Sequence, residues 1–472
     1  MNRGDSKGEQ VLLENKWVRR LGRLHQNQGT FAAYPGAVHT RFQHSLGVMH
    51  LAGKFVEACY PRFYKAHKGK HEKGALRKPE YVIQVTRIAG LLHDICHGPF
   101  SHLFDREVLK ERNNLNHEKL SKILIEGELR PFIEGIRISW EGNELESQIR
   151  AKDVNDILHP FEDDDPNKEQ RADLEFWEKP VAKVFHGVYS ADNLDYLLRD
   201  SHYAGTPEYG TVDAERLIHR SVFHEGGIAI EKKSLSTFRS FLLSRMFMYQ
   251  NVYYHRTVRA FEISLSEILK DVADIMGLFS KEENIDWNVF YPLDDNFVLS
   301  LGYHWSNTPD SDSLAERKRN VAERILELTS KDGLLPLIQA HAENEEIKTY
   351  PLSKAKELNK SSLQPKFAQP SLKAELEKRG RGNIFKHIRF DYPTTYILKG
   401  DPADTEDVIG VYTDDGYFDQ TSVSKELEGI PSKVVGVGIY CPPEYEKDVK
   451  AACRSLWEGE NVRDKGYGDT AT

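Results

Sequence analysis

The sequence predicts a mainly α protein that ends in a small C-terminal α+β lobe. Three observations carry this expectation. Apolar residues recur at helical spacing in several stretches between residues 43 and 276. Strand-like patterning begins only beyond about residue 384. The 472 residues leave room for a sizeable core and roughly two or three domains. The expected division is a first unit over 1–275, a helical extension and connector over 276–382, and the α+β lobe over 383–472.

After a Tyr34-Pro35-Gly36 turn, Leu46, Met49, Phe55 and Val56 among small residues predict an amphipathic helix over 43–60. Val82, Val85, Ile88, Ala89 and Leu92 share one face of a second helix over 81–97, with Gly98-Pro99 as its stop. The stretch 141–180 is acidic and interrupted by proline, and reads as solvated loop with short helix. Helical patterning resumes at 181–205 and again at 234–276, where more than forty residues without Pro or Gly predict one long or kinked helix. Pro351, Pro365 and Pro370 divide the Lys/Glu-rich segment 315–380 into helices joined by an exposed connector. Beyond 384, IRFDYPTTYILK, VIGVYTDDG and KVVGVGIYC read as strands with a DDG turn, and EYEKDVKAACRSLW as a closing helix.

Composition narrows the function classes. Hydrophobic residues make up 39% against 29% charged, mean hydropathy is −0.57, and no run approaches the ~18 apolar residues of a membrane span. The net charge of −9 gives no global attraction to nucleic acid, so such binding is not indicated, while small anionic ligands remain open. The first residues lack the apolar stretch of a secretory signal, and Cys59, Cys96, Cys441 and Cys453 are too scattered for a disulfide framework. Both features predict a cytoplasmic setting.

Ten of the nineteen histidines lie in the first 117 residues. Among them His44 and the adjacent pair His93-Asp94 join Asp192, in SADNLDYLLRD, as a candidate metal set of imidazoles and carboxylates. Such a set suits Mg²⁺, Mn²⁺, Fe or Zn²⁺ and leaves coordination positions for water and substrate. An open metal polarises a phosphate oxygen and activates bound water, so phosphoester or phosphoanhydride hydrolysis follows. A lone histidine on an apolar helix is ordinarily a satisfied core residue. His93, Asp94 and His97 together in LLHDICHGPFSHLFD are different, because burying all three without partners is costly. On a helix reaching 97, His97 shares a face with His93, while His102 and Asp105 fold back after the Gly98-Pro99 break. His117 is a candidate general acid for the leaving alkoxide.

At this point HTRFQHSLGV, RIAGLLHDICHGPFSHLFD, NHEKL and SADNLDYLLRDSHYAG resemble the HD-domain deoxynucleotide triphosphohydrolases, most closely the vertebrate pattern without its SAM domain. The likeness is dense from about residue 17 to 260 and weaker beyond. It implies an HD-domain helical core and a metal held by His44, His93, Asp94 and Asp192. It further implies phosphate contacts from Arg41, His97 and His102, leaving-group assistance from His117 paired with Asp105, and sugar contacts from Gln26, Asn27, Tyr196, Asp200 and Tyr253. An aromatic ring against C2′ excludes a 2′-hydroxyl, and a carboxylate on the 3′-OH penalises its absence, so deoxynucleotides should be preferred.

Two departures stand out. The family's phosphate-binding lysine after the last metal aspartate is Asn193 here, with Arg41, Arg199 or another basic residue as candidates to replace it. The positions that read an activating guanine nucleotide in vertebrate members align with Glu14, Arg19 and Gly22. A nucleotide activator therefore stays open, and Arg20, Arg23, Arg216, Lys232 and Lys233 are candidates for an anion site between subunits. The resemblance implies dNTP substrates, a homo-oligomer (tetramer or hexamer), and lowered dNTP pools in nucleotide homeostasis or antiviral defence. Two alternatives compete: an HD-type phosphodiesterase or nuclease on cyclic, alarmone or single-stranded nucleotides, and a catalytically idle nucleotide sensor.

Overall fold

The computed structural model describes residues 8–464 apart from 70–75, 112–114, 162–169, 188, 226, 279–285, 330–337, 340–346, 352–368, 398–409, 414–429 and 437. Its organising element is α1 (Arg41–His67), which starts where the Gln43 side chain accepts the Thr40 N–H at 2.9 Å. His44, Val48, Ala52, Phe55, Cys59 and Phe63 recur every three or four residues and form its buried stripe. That stripe packs on α2 (Pro79–Leu92) so closely that a Cβ at Gly90 would stand 2.8 Å from the Met49 Cα. The absent side chain lets the helices touch at backbone level and brings His44 beside His93.

Around this pair lie α3 (His117–Glu126), α4 (Ala151–Leu158), α5 (Glu178–His186) and α6 (Ala191–Ala204). A hairpin follows, β1 (Ser221–His224) with β2 (Gly227–Glu231), and then α7 (Leu235–Met248) and α8 (Arg256–Met276). Two further helices, α9 (Asp295–Ser306) and α10 (Ala315–Thr329), pack on each other, and α10 packs on α8. One large core, with Trp17, Phe55, Tyr60, Trp177, Phe238, Phe241 and Phe290 among its largest side chains, joins these elements. Among the described residues, no helix is long and apolar enough to cross a membrane.

The C-terminal part contains β3 (Ile338–Gln339), β4 (Ile347–Pro351), α11 (Gln369–Lys378), β5 (Arg389–Asp391), β6 (Thr394–Tyr396), β7 (Gly410–Tyr412), β8 (Pro431–Gly436), β9 (Gly438–Cys441) and α12 (Glu446–Asp464). Six of these strands form two antiparallel sheets, ordered β3-β9-β5 and β4-β8-β6, so the expected IRFDYPTTYILK and KVVGVGIYC runs are each split between sheets. A small second core of Leu372, Leu376, Ile384, Ile439, Val449 and Cys453 draws on both sides of residue 382.

The mainly α reading with a small sheet lobe holds, and several elements differ in detail. The second helix stops at Leu92 rather than 97, and His93–Cys96 form a turn. His97 therefore reaches the site from a loop and does not share a helical face with His93. Residues 181–205 are two helices, because Gly187 ends α5 and Ser190 caps α6 by accepting the Asn193 N–H at 3.1 Å. The 234–276 stretch is kinked as expected: a π-helical turn, Tyr249–Tyr253, follows α7 and His255 caps α8. Within 141–180, α4 is a thoroughly buried helix, a correction to the solvated reading, since Val154, Ile157 and Leu158 face the core while Asp153 and Asp156 are paired inside. The VIGVY strand leaves the lobe, because β7 pairs in parallel with β2 of the first unit. The DDG turn and most of the expected connector lie outside the described residues.

Candidate metal centre and adjoining cleft

Three loci of the chain converge on one point: His44 in the first turn of α1, His93-Asp94 just past α2, and Asp192 in the first turn of α6. The Nε2 atoms of His44 and His93 face each other at 3.2 Å. Asp192 Oδ1 lies 3.1 Å from His44 Nε2 and 3.9 Å from His93 Nε2, and Asp94 Oδ1 lies 3.4 Å from His93 Nε2.

The outer nitrogens explain why both inner ones are free to ligate. His44 Nδ1 is 2.8 Å from Asp195 Oδ2, and His93 Nδ1 is 2.9 Å from the Gly90 carbonyl. Each partner is an acceptor, so each Nδ1 carries the hydrogen and each Nε2 presents a lone pair. Two lone pairs and two carboxylates aimed at one point form a cation site, and the nitrogen and oxygen donor set fits Mg²⁺, Mn²⁺, Fe or Zn²⁺. The local field is negative: burial opposes charge on His44, yet its contacts with Asp192 and Asp195 push it up to about 10, and a cation at Nε2 would take the place of the proton that field attracts. Asp195 is gripped by Arg199 through two 2.8 Å bonds. Gly47 leaves the room, since a Cβ there would stand 1.7 Å from Asp195 Oδ1.

A second histidine cluster adjoins the first, with His97 Nε2 3.3 Å from Asp94 Oδ1. His97, His102, Asp105 and His117 bring their donor atoms within 4.8 Å of one another. The rings of His97 and His117, however, are stacked at 3.7 Å and 22°. Lone pairs in nearly parallel planes do not converge as those of His44 and His93 do, although the four donor atoms are close enough for an ion. Asp105 bonds His117 Nδ1. Burial works against the His117 charge, and the Asp105 carboxylate overrides it and raises the imidazole. His97 is held well below its ordinary value by burial, with the charges of Arg41 and His117 adding to it. His102 stands largely exposed at the rim.

The turn between His97 and His102 is strained, with Phe100 and Ser101 at φ 54° and 56°. Buried Asp295 holds it by accepting the Phe100 N–H at 2.7 Å. The turn presents Ser101 Oγ to Arg41 Nε at 2.7 Å, while Arg41 also bonds Asp94.

Both clusters open onto a cleft of about 550 Å³. Its walls include Gln26, Asn27, Arg41, His93, Asp94, His102, His117, Asp192, Tyr196, Asp200 and Tyr253, while His44, His97 and Asp105 stand behind them. Tyr253 donates to Asp200 Oδ2 at 2.6 Å, and Asp200 Oδ1 is 2.8 Å from His39 Nε2. Burial drives the hydroxyls of both Tyr196 and Tyr253 well above the ordinary range.

Sequence reasoning missed several wall and support residues. Asp195 orients His44 and follows Asp192 by three positions, a helical spacing that signals proximity. Arg245 lines the cleft with its Nη1 3.5 Å from Asn193 Oδ1, whereas Arg199 is committed to Asp195 outside it. Arg245 lies two helical turns before Tyr253, which is the signal that could have found it. Arg259 and Glu262 also line the cleft and had no local motif. Among the anion candidates, Arg20 is corrected: its guanidinium is buried and donates to the carbonyls of His97, Tyr291 and Leu293.

Comparison with known proteins agrees with this geometry. Residues 41–195 match the HD domain and residues 212–322 the HD associated region. The chain is 26% identical over 312 residues to the uncharacterized Bacillus subtilis protein YwfO, covering 64% of this chain and 63% of that one. It is 29% identical over 336 residues to the chicken deoxynucleoside triphosphate triphosphohydrolase SAMHD1, covering 67% of this chain and 52% of that one. The matches thus span about half to three-fifths of these relatives. The fold also matches a solved hypothetical protein from Aquifex aeolicus, with a TM-score of 0.64 and 22% identity over 95% of this chain and 96% of that one. A Bacteroides thetaiotaomicron phosphohydrolase matches with a TM-score of 0.59 and 21% identity over 91% of this chain and 94% of that one.

Proposed function

We propose that this chain, which belongs to the HD-domain family through residues 41–195, is a metal-dependent dNTP triphosphohydrolase releasing deoxynucleoside and inorganic triphosphate. The observation that carries the reading is the Tyr253–Asp200 pair in the cleft lined by His93, Asp94 and Asp192, with His44 behind them. An aromatic and carboxylate sugar site beside a cation site is what a deoxynucleotide requires. A divalent cation held by the four ligands would supply Lewis acidity at the α-phosphate and an activated water.

The protein's own groups do the rest. Arg41 and Arg245 offset the phosphate charge from two sides of the cleft. Tyr196 and Tyr253 pack against C2′, and Asp200 accepts from the 3′-OH. His117, whose Nδ1 is tied to Asp105, delivers a proton from Nε2 to the departing 5′-oxygen as the phosphorus–oxygen bond breaks. His97, neutral and stacked on His117, keeps that ring in place beside the phosphates. In this reading the chemistry resides in 1–275, with 276–382 as helical extension and 383–472 as the C-terminal lobe. A homo-oligomer and a nucleotide activator accompany the proposal.

The test is anion-exchange analysis of the purified protein with each dNTP, alone and mixed, with Mg²⁺ or Mn²⁺ and matched NTP controls. Deoxynucleoside and triphosphate appearing together are expected, with ribonucleotides cleaved more slowly. Silence in every mixture sinks the reading, and nucleoside monophosphate as product moves it to the phosphodiesterase class.

A further inference from the structure

Part of the cleft wall is built from charged side chains that the reaction above does not use. The segment 26–29 runs from Arg41 to Glu262. The Gln26 carbonyl lies 3.4 Å from Arg41 Nη2, and at position 29 a Cβ would stand 3.3 Å from the Glu262 Cγ. Tyr254, next to Tyr253, also lines the cleft and lies in the fields of both Arg245 and Arg259. Glu262 and Arg259 thus line the same cleft as the proposed sugar site and lie near Tyr254, the residue after Tyr253, within the reach of a base attached to that sugar.

Arg259 is fixed there by partners from two parts of the chain. Its Nε and Nη2 donate to Asp391 of β5 at 2.8 and 2.9 Å, and its Nη1 pairs with Glu262. A guanidinium has five N–H groups, and these contacts use three. One of the two that remain sits on Nη1 and one on Nη2, in the plane of the guanidinium. Glu262 places a carboxylate next to them, and both side chains line the cleft.

We propose that Arg259 and Glu262 read the nucleobase and select guanine, with Asp391 of the C-terminal lobe holding the reader in position. Guanine presents two adjacent acceptors, O6 and N7, to an arginine fork, and its N1–H and N2–H lie beside them for a carboxylate. Adenine puts an amino group where O6 would be and leaves one guanidinium donor facing another donor. Thymine offers O4 beside N3–H but carries a methyl group in place of N7, and cytosine offers an amino group in place of O6. The assignment rests on the nucleotide reading of the cleft and names the base within it.

The experiment is calorimetric titration of the full chain carrying His117→Ala with dGTP, dATP, dCTP and dTTP in Mg²⁺, together with turnover of each dNTP by the unaltered protein. The expected result is dGTP binding at least about tenfold tighter than the other three, the order of one bidentate base contact. Arg259→Lys, which keeps the charge and loses the fork, and Glu262→Gln should each lower dGTP affinity towards that of dCTP, whose own affinity changes less. Equal affinities for all four overturn the base reader, and equal hydrolysis alongside them leaves the triphosphohydrolase standing. A guanine preference that survives both substitutions also overturns the assignment. Selective dGTP binding without triphosphate release supports the reader and overturns the hydrolase instead.

Discussion

The two histidine clusters share residue types and nearly touch, yet they are arranged for different work. In the first, Asp195 and the Gly90 carbonyl take up the outer nitrogens of His44 and His93, so the inner lone pairs converge. In the second, Asp105 takes the outer nitrogen of His117, but the neighbouring His97 ring lies parallel to it at 3.7 Å. Ring orientation, set by hydrogen bonds behind the rings, is what separates the two clusters, and under the proposed function it suits the first to a cation and the second to passing a proton. The chemistry of such a cluster cannot be read from its composition.

The largest effect should come from His93→Ala, which removes one converging lone pair. Metal content measured by plasma emission should fall, and triphosphate release should drop by about 10³-fold or more. His117→Ala sharpens the contrast: turnover should fall by roughly 10²–10⁴-fold, the range for a lost general acid, while metal content stays at the wild-type level. Loss of metal in this variant would show that the second cluster ligates after all.

Asp195→Asn leaves every proposed ligand in place and weakens only the grip on His44 Nδ1. Metal affinity from competition with a chelating dye should fall by about 10–100-fold, and added metal should restore the rate. The smallest effect belongs to Asp105→Asn and appears in the pH profile. His117 must carry its proton to act, and Asp105 raises its affinity for that proton against the cost of burial. Activity is therefore present below the raised His117 value and lost as pH rises through it. Neutralising Asp105 lowers that value, so the alkaline limb should move to lower pH with the rate on its acid side little changed. An unmoved limb would assign that limb to another group.

Much of the site was legible in local sequence. His44, His93, Asp94 and Asp192 were readable because chelation needs those residue types and each sits beside a helix pattern or stop. The helical stretch at 43–60 was readable because a buried stripe repeats with the helical period, and that at 234–276 because it runs without Pro or Gly. The end of α2 was not, since LLHDIC keeps an apolar pattern through the turn and Leu92, Ile95 and Cys96 are all buried whether or not the backbone is helical. The buried helix α4 was masked by Asp153 and Asp156, whose charges suggested solvent until Arg150 and Arg171 met them. The β1–β2 hairpin was too short to stand out between helices.

The sequence alone determined the donor set, the helical majority and the late sheet lobe, because these follow from side-chain chemistry and from periodicity along the chain. Tertiary structure alone decided which nitrogens face inward and that Arg245 stands beside Asn193. It alone also decided that Asp391, 132 positions along the chain from Arg259, holds that residue at the cleft wall. Those outcomes depend on hydrogen bonds and close approaches between distant segments, such as the backbone contact at Gly90 and the space above Gly47. No local pattern encodes such contacts, because their geometry exists only once the helices have packed.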